Sequence, residues 1–325
     1  MAPLAAPLVE RVDGEHSIDE GGERAEFGRL ARWGGVELYR ASLRRHAFDA
    51  HAHEGYGIGV IEAGAERFEY RGAGWRAPAG SLVLMEPDAI HTGRADGDAG
   101  WRYRMAYVDR GTLAALCGGA PPRFDEPVAR DPARAARLAA ALRAAWSASG
   151  TGTEALAAES ALAAALIDVA VAHGRGAPAG DDRGPGPADA RWRRLVDWID
   201  ANVGAPIALQ DLAGIAGVGR FHLVRSLRAG FGVTPMALVH ARRLVAARRA
   251  LARGTPPAEA AAAAGFADQS HLTRSLLRTH GVTPAQYQRQ LGSRPARAPR
   301  RSSTDEGRPT LPDRPPLRAR GPAHG

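Results

Sequence analysis

Arg220-Phe-His-Leu-Val-Arg-Ser-Leu-Arg-Ala-Gly-Phe-Gly-Val-Thr-Pro235 returns 49 residues later as Gln269-Ser-His-Leu-Thr-Arg-Ser-Leu-Leu-Arg-Thr-His-Gly-Val-Thr-Pro284, with nine of sixteen positions identical. A short repeat at a fixed offset implies one structural job done twice. Each copy follows a short helical run and a glycine turn, Leu209–Gly217 and Ala258–Gly265. Helix, tight turn, amphipathic helix is the helix-turn-helix plan. Leu223 and Leu227, and Leu272 and Leu276, stand four apart and should face a core. That leaves Arg220, Phe221, Val224 and Arg225 outward on the first helix, and Gln269, Ser270, Thr273 and Arg274 on the second. The second set is nearly all hydrogen-bonding, as base edges and phosphates require. Phe221 and Val224 have two readings, contact with thymine methyls or a partly buried packing face. Thr234-Pro235 should start a long helix over 236–253 whose arginines Arg242, Arg243, Arg248 and Arg249 point away from its apolar side. Such a helix would hold the two reading helices about 34 Å apart, one turn of DNA.

Charge follows the same division. The chain has 325 residues and a formal net charge of +8, with no lysine. Residues 1–188 hold 21 Arg and 26 acids (−5), residues 189–294 hold 15 Arg and 6 acids (+9), and residues 295–325 hold 7 Arg and 3 acids (+4). An acidic front joined to a basic back suggests that only the back half meets a polyanion. One cysteine, Cys117, excludes an internal disulfide framework and a Cys-only zinc cluster. The first residues lack a basic stretch followed by a long apolar one, and no apolar run suggests a membrane span. A soluble, cytoplasmic protein with no membrane partner is expected.

Outward from the repeat, the fold class is α+β and multidomain. From Phe27 to Val108, short alternating segments are punctuated by glycine turns, which suggests a small antiparallel barrel. Asp131-Pro132 should cap one helix and Thr153 a second, so that a helix pair follows the barrel. Residues 176–190 lack any apolar period and read as a linker. The expected domains are a flexible arm (1–25), an effector-binding barrel with its helical hairpin (26–175), the linker (176–190), an all-helical reader (191–292) and a disordered tail (293–325).

Ala264-Gly-Phe-Ala-Asp-Gln-Ser-His-Leu-Thr-Arg274 with Gly281-Val-Thr-Pro284, together with the earlier copy, resembles the AraC/XylS family of bacterial transcription regulators. The resemblance covers about residues 191–292 and implies a two-lobed, seven-helix DNA-binding unit. His51-Ala-His-Glu54, Gly80-Ser-Leu-Val-Leu-Met85 and Pro87-Asp-Ala-Ile-His91 are similar, more loosely, to that family's cupin-type effector domain. Gly219 stands where the family usually has a serine cap, a small loss. Pro257 and Ala260 replace larger apolar residues, which implies loose packing of the second lobe's first helix.

His51 and His53 share one face of a strand, and His91 follows a later turn. Three imidazoles with Glu54 have the donor types of a Zn, Fe or Mn site. The glutamate that enzymatic cupins carry about four residues beyond the second histidine is Gly57 or Ile58 here. The expectation is therefore no metal and no cofactor. His51, His53, Tyr56, His91 and Trp101 are instead expected to line an effector pocket. No Ser-His-Asp order, P-loop or dinucleotide motif appears, so no catalytic residue is expected.

The reading is a sequence-specific, effector-controlled transcription regulator, not an enzyme. Its expected partners are a double-stranded DNA operator, a small-molecule effector, RNA polymerase and a second copy in a homodimer. A metal-dependent cupin enzyme fused to a DNA-binding domain and a ligand-independent DNA binder are the alternatives. Whether it works as an activator or a repressor stays open. Arg274→Ala should weaken operator binding by about 1–3 kcal/mol, whereas Arg301→Ala in the proline-rich tail should cost almost nothing. A titration at fixed salt that finds equal losses contradicts the reading face.

Overall fold

The computed structural model describes residues 22–30, 33–148, 152–175 and 187–292. The arm up to residue 21, the linker from 176 to 186 and the whole tail lie outside the described residues.

Nine strands form an open barrel of two antiparallel leaves among the described residues. They are β1 (Arg24–Arg29), β2 (Val36–Leu43), β3 (Ala47–His51), β4 (Tyr56–Tyr70), β5 (Ala73–Pro78), β6 (Leu82–Met85), β7 (His91–Ala95), β8 (Trp101–Val108) and β9 (Val128–Ala129). One leaf runs β1-β2-β8-β4-β6-β9, and β3, β7, β5 and the far half of β4 make the other. β4 spans both leaves because it is 15 residues long and slips register against β8 between Ile61 and Ala63. A bulge of this kind bends a strand.

Alternation gives the first leaf two faces. Tyr39, Ala41, Ile61, Trp101, Tyr103 and Met105 point into the barrel. Val36, Leu38, Ile58, Val60, Ala106 and Val108 point out, against the helices that follow. Those helices are α1 (Arg110–Leu116), α2 (Pro132–Ser147) and α3 (Thr153–His173). Asp131 caps α2, its side chain accepting from the Arg134 amide. The cap of α3 is Gly152, and Thr153 is its first helical residue, so the helix starts one position earlier than the sequence suggests. α3 also has the length and apolarity of a membrane span, with mean hydropathy 1.8, contrary to the sequence reading. Its alanines raise that average, and it buries Leu162, Leu166 and Val169 in the core shared with α2.

Among the described residues the basic half is seven helices: α4 (Pro187–Ala201), α5 (Leu209–Ala216), α6 (Arg220–Phe231), α7 (Pro235–Ala252), α8 (Pro257–Ala263), α9 (Gln269–His280) and α10 (Pro284–Gln290). Leu195, Ile199, Leu212, Leu223, Leu227 and Leu238 form one lobe's core. Leu244, Leu251, Phe266, Leu272, Leu276, Val282 and Tyr287 form the other's. α8 is not loosely packed: Ala260 and Ala261 are fully buried, because small side chains let the helix come close. Gly265, in the turn before α9, has φ +74°, and a Cβ there would strike the Val203 carbonyl. Only glycine meets both demands.

The two halves are not separate bodies. The barrel core and the second lobe's core are one continuous cluster, with Phe27 and Tyr39 on one side and Tyr287 and Leu244 on the other. Ala52 and Ile90 of the barrel join the first lobe's core.

β4 and β8 pair closely where Gly59 faces Met105. A Cβ at Gly59 would overlap Met105 Sδ and the Arg104 carbonyl, whereas one at Gly74 meets nothing within 4 Å. Gly59→Ala should cost on the order of 3 kcal/mol or more and Gly74→Ala less than about 0.5 kcal/mol, read as denaturant midpoints.

Candidate effector site and DNA-reading surface

The residues expected to read DNA lie where α6 and α9 begin. α6 starts from Gly219 with no side-chain cap, and α9 from Asp268, whose carboxylate accepts from the His271 amide at 2.6 Å. Arg220, Phe221, Arg225, Gln269, Ser270 and Arg274 are exposed, and Val224 and Thr273 are half-buried. Phe221 is 85% exposed, so within this chain it is no packing face. The other end of each helix meets the barrel. The last turn of α6 approaches Gly72 in the β4–β5 turn, and Arg278 of α9 pairs with Asp49 of β3 at 3.0 Å. The starts of α6 and α9 thus lie at the ends away from the barrel.

α7 carries the largest departure from the sequence reading. Its arginines do not all face solvent: Arg242 is 4% exposed and Arg248 is 8% exposed. Arg248 reaches across to the barrel and donates to Glu37 Oε2 at 2.5 Å. Its guanidinium also lies 5.4 Å from the Phe27 ring centre and 5.2 Å from that of Tyr287. The Tyr287 hydroxyl donates to Glu37 Oε1 at 2.7 Å, so both carboxylate oxygens are held by the reader. Burial disfavours the Arg248 charge, but Tyr287 and Glu37 outweigh it and keep the guanidinium firmly protonated. Removing one partner of such a buried pair costs about 3–5 kcal/mol, because the other charge is stranded. Arg242 binds Asp200 at 2.6 Å and also Asp88 of the barrel, and Arg249 pairs with Glu54. The Phe27 amide donates to Gln290 Oε1 at 3.0 Å, and the Tyr39 hydroxyl to the His280 carbonyl at 3.2 Å.

Behind this contact sit the histidines. His51 and His91 rings are 4.4 Å apart, and His53 lies 5.1 Å from His91. His280, from the end of α9, stacks in at 5.1 Å from His51 and 5.5 Å from His53. All four are buried, and burial holds each imidazole below its usual range. Neighbouring histidines lower His51 and His53 further, and Arg248 lowers His280.

The cavity that His51, His53 and His91 line with Glu66, Tyr103 and Tyr107 is only about 30 Å³, room for about one water. It shares His53 and Tyr107 with a groove of about 260 Å³ at the domain contact, lined by Arg29, Glu37, Glu54, Arg248, Arg249 and Arg253. Of the five residues expected to form an effector pocket, His51, His53 and His91 come together. Trp101 is buried against Phe48 and stacks on Tyr103, its indole N–H without a protein partner. Tyr56 faces the opposite side, where its hydroxyl donates to the Pro122 carbonyl. It borders a separate groove of about 630 Å³ beside α4.

Sequence reading missed Glu37, Arg248, Tyr287 and His280. Only His280 left a signal: it stands where the first repeat has Phe231, an apolar position turned polar.

Comparison with known proteins bears on both halves. Residues 34–167 match the AraC-like ligand binding domain, and residues 212–290 a helix-turn-helix domain. The chain is 26% identical over 242 residues to the uncharacterized HTH-type transcriptional regulator YbfI of Bacillus subtilis, covering 73% of this chain and 86% of that protein. It is 27% identical over 110 residues to the regulatory protein PocR of Salmonella typhimurium, 34% of this chain and 36% of that one. Its fold is similar to that of an apo point variant of ToxT from Vibrio cholerae, with TM-score 0.52 and 15% identity, over 79% of this chain and 98% of that one. Wild-type ToxT with bound unsaturated fatty acid gives TM-score 0.51 and 14% identity, over 81% and 97%.

Glu66 supplies a pH test. Burial pushes its carboxyl up to about 8, so the folded protein holds that proton where the unfolded chain releases it near the ordinary value of 4.5. Its contribution is therefore fully present below that ordinary value and is lost as pH rises through about 8. Glu66→Gln should raise the melting temperature relative to wild type more at about pH 8 than at about pH 5. Equal shifts at both would show that the carboxyl is not neutralised by burial.

Proposed function

Since the chain belongs to the AraC family of transcriptional regulators, we propose that its sensor controls DNA binding by holding the reader docked through α7. It is an effector-controlled, DNA-binding regulator of transcription. Arg220, Phe221, Val224 and Arg225 meet one major groove, and Gln269, Ser270, Thr273 and Arg274 the next. Phe221 touches thymine methyls, a reading supported by its exposure. The observation that carries the proposal is the buried contact of Arg248 with Glu37 and Tyr287. Four arginines of the basic half are engaged by barrel acids in the docked state: Arg242 by Asp88, Arg248 by Glu37, Arg249 by Glu54 and Arg278 by Asp49. Docking therefore lowers the positive potential that duplex DNA would meet.

The effector sits in the groove beside Arg29, Arg248, Arg249 and Arg253 and reaches His53 and Tyr107 at its floor. His51 and His91 stand behind that floor, whereas Tyr56 and Trp101 act as framework. Arginines in a groove suit a small anion, which would compete with Glu37 and Glu54 for them. The fatty acid bound by ToxT is of that class. The ligand can shift docking only through its different affinity for docked and released states. The protein works in the cytoplasm without catalysis. Its homodimer forms through α2–α3, where Leu156 and Val171 are exposed, and RNA polymerase is its target at the promoter.

The double variant Glu37→Gln/Arg248→Met removes the latch without stranding a charge. The full-length variant should bind a duplex selected from a random pool several-fold more tightly than wild type at fixed salt. Unchanged or weaker binding would show that the latch does not restrain the reader.

A further inference from the structure

One ring nitrogen from each of His51, His53 and His280 lies within 4.8 Å of the other two, in a fully buried cluster. The hydrogen bonds around the cluster fix where the protons are. His51 Nδ1 lies 2.7 Å from the Asp49 carbonyl and His91 Nδ1 3.0 Å from the Ala89 carbonyl. A carbonyl only accepts, so each Nδ1 carries the proton and each Nε2 presents a lone pair. The Thr279 hydroxyl donates to the Ser275 carbonyl at 2.8 Å. Having one proton, it must accept from His280 Nδ1, 2.8 Å away. His280 Nε2 is thus also a lone-pair donor to a ligand, and it is buried without any protein partner.

His51, His91 and His280, each held at Nδ1 by an oxygen, are arranged as metal-ligating imidazoles usually are, whereas His53 Nδ1 faces Arg248. A buried acceptor left without a donor, as His280 Nε2 is, is costly. The sequence argues against a metal because the barrel lacks the glutamate of enzymatic cupins. His280 from the reader supplies the third ligand from outside the barrel instead. The repeat marks it as a departure, since the first copy has Phe231 there.

We propose that His51, His53 and His280 bind a divalent first-row ion of the zinc class across the contact between sensor and reader. His91 stands beside them as a fourth imidazole. Ligand nitrogens around a tetrahedral zinc are about 3.3 Å apart, so ring rotations must draw the cluster in. His53 Nδ1 now faces Arg248 at 3.4 Å and accepts from it. Ligation through Nε2 moves the His53 proton to Nδ1 and turns that contact repulsive. The ion therefore fastens α9 to the barrel while loosening Arg248. This site goes beyond the effector reading and does not depend on the anion groove.

The test uses the full chain, stripped with a chelator and titrated with zinc against a chromophoric competitor. Wild type should bind one zinc per chain with a dissociation constant below about 1 μM, and zinc should raise its melting temperature. His51→Gln and His280→Phe should each weaken zinc at least about 100-fold, while His173→Gln, far from the cluster, changes nothing. His280→Gln keeps the site polar and should lose zinc as His280→Phe does, so misfolding of either variant cannot mimic the result. Wild-type binding weaker than about 100 μM overturns the proposal. Wild-type affinity in both folded His280 variants also overturns it, because the ion would then belong to the barrel alone. DNA binding is not read in this titration, so failure of the latch and failure of the metal site are told apart.

Discussion

The Arg248–Glu37 contact organises the molecule. A guanidinium from the middle of the reader's longest helix is buried under the sensor, between two aromatic rings and one carboxylate. A charge so placed is stable only while its partner is in register. Tyr287 locks the other carboxylate oxygen, and Gln290 takes the Phe27 amide, so the end of the second lobe is fixed to β1 and β2. One apolar cluster runs from the barrel into the second lobe beside this contact.

The charge asymmetry acquires a second meaning from this arrangement. An excess of arginine in the back half and of acids in the front half suits nucleic acid outside and self-association inside. Inside the molecule, α7 presents Arg242, Arg248 and Arg249 to barrel acids. On the proposed function, duplex and sensor compete for one basic surface. The starts of α6 and α9, proposed to read DNA, are exposed and lie outside these contacts.

The repeat made the reader legible because its leucines, glycine turns and Thr-Pro starts each have a local cause. Leu223, Leu227, Leu272 and Leu276 are buried where their spacing puts them. The barrel strands were legible through alternation, though not the two-leaf path of β4, which depends on a bulge. Arg248 was not legible. Binary patterning assigns arginine to solvent, and nothing local distinguishes one that faces water from one that faces a carboxylate 211 residues away. The same holds for Tyr56: a strand residue has two faces, and its neighbours in sequence do not say which face meets the cavity. His280 lay between these cases, visible as a break in the repeat but without a partner until the fold supplied His51 and His53.

The account holds that DNA and the sensor compete for the reader, and amide hydrogen exchange on the full-length protein, with and without its selected duplex, tests this most directly. Peptides covering residues 220–225 and 269–274 should gain protection when the duplex is added, while those covering 24–29 and 284–290 lose it in the same sample. Protection gained at the reading helices with unchanged exchange at β1 and α10 would mean that the docked form itself binds DNA, and would contradict the account.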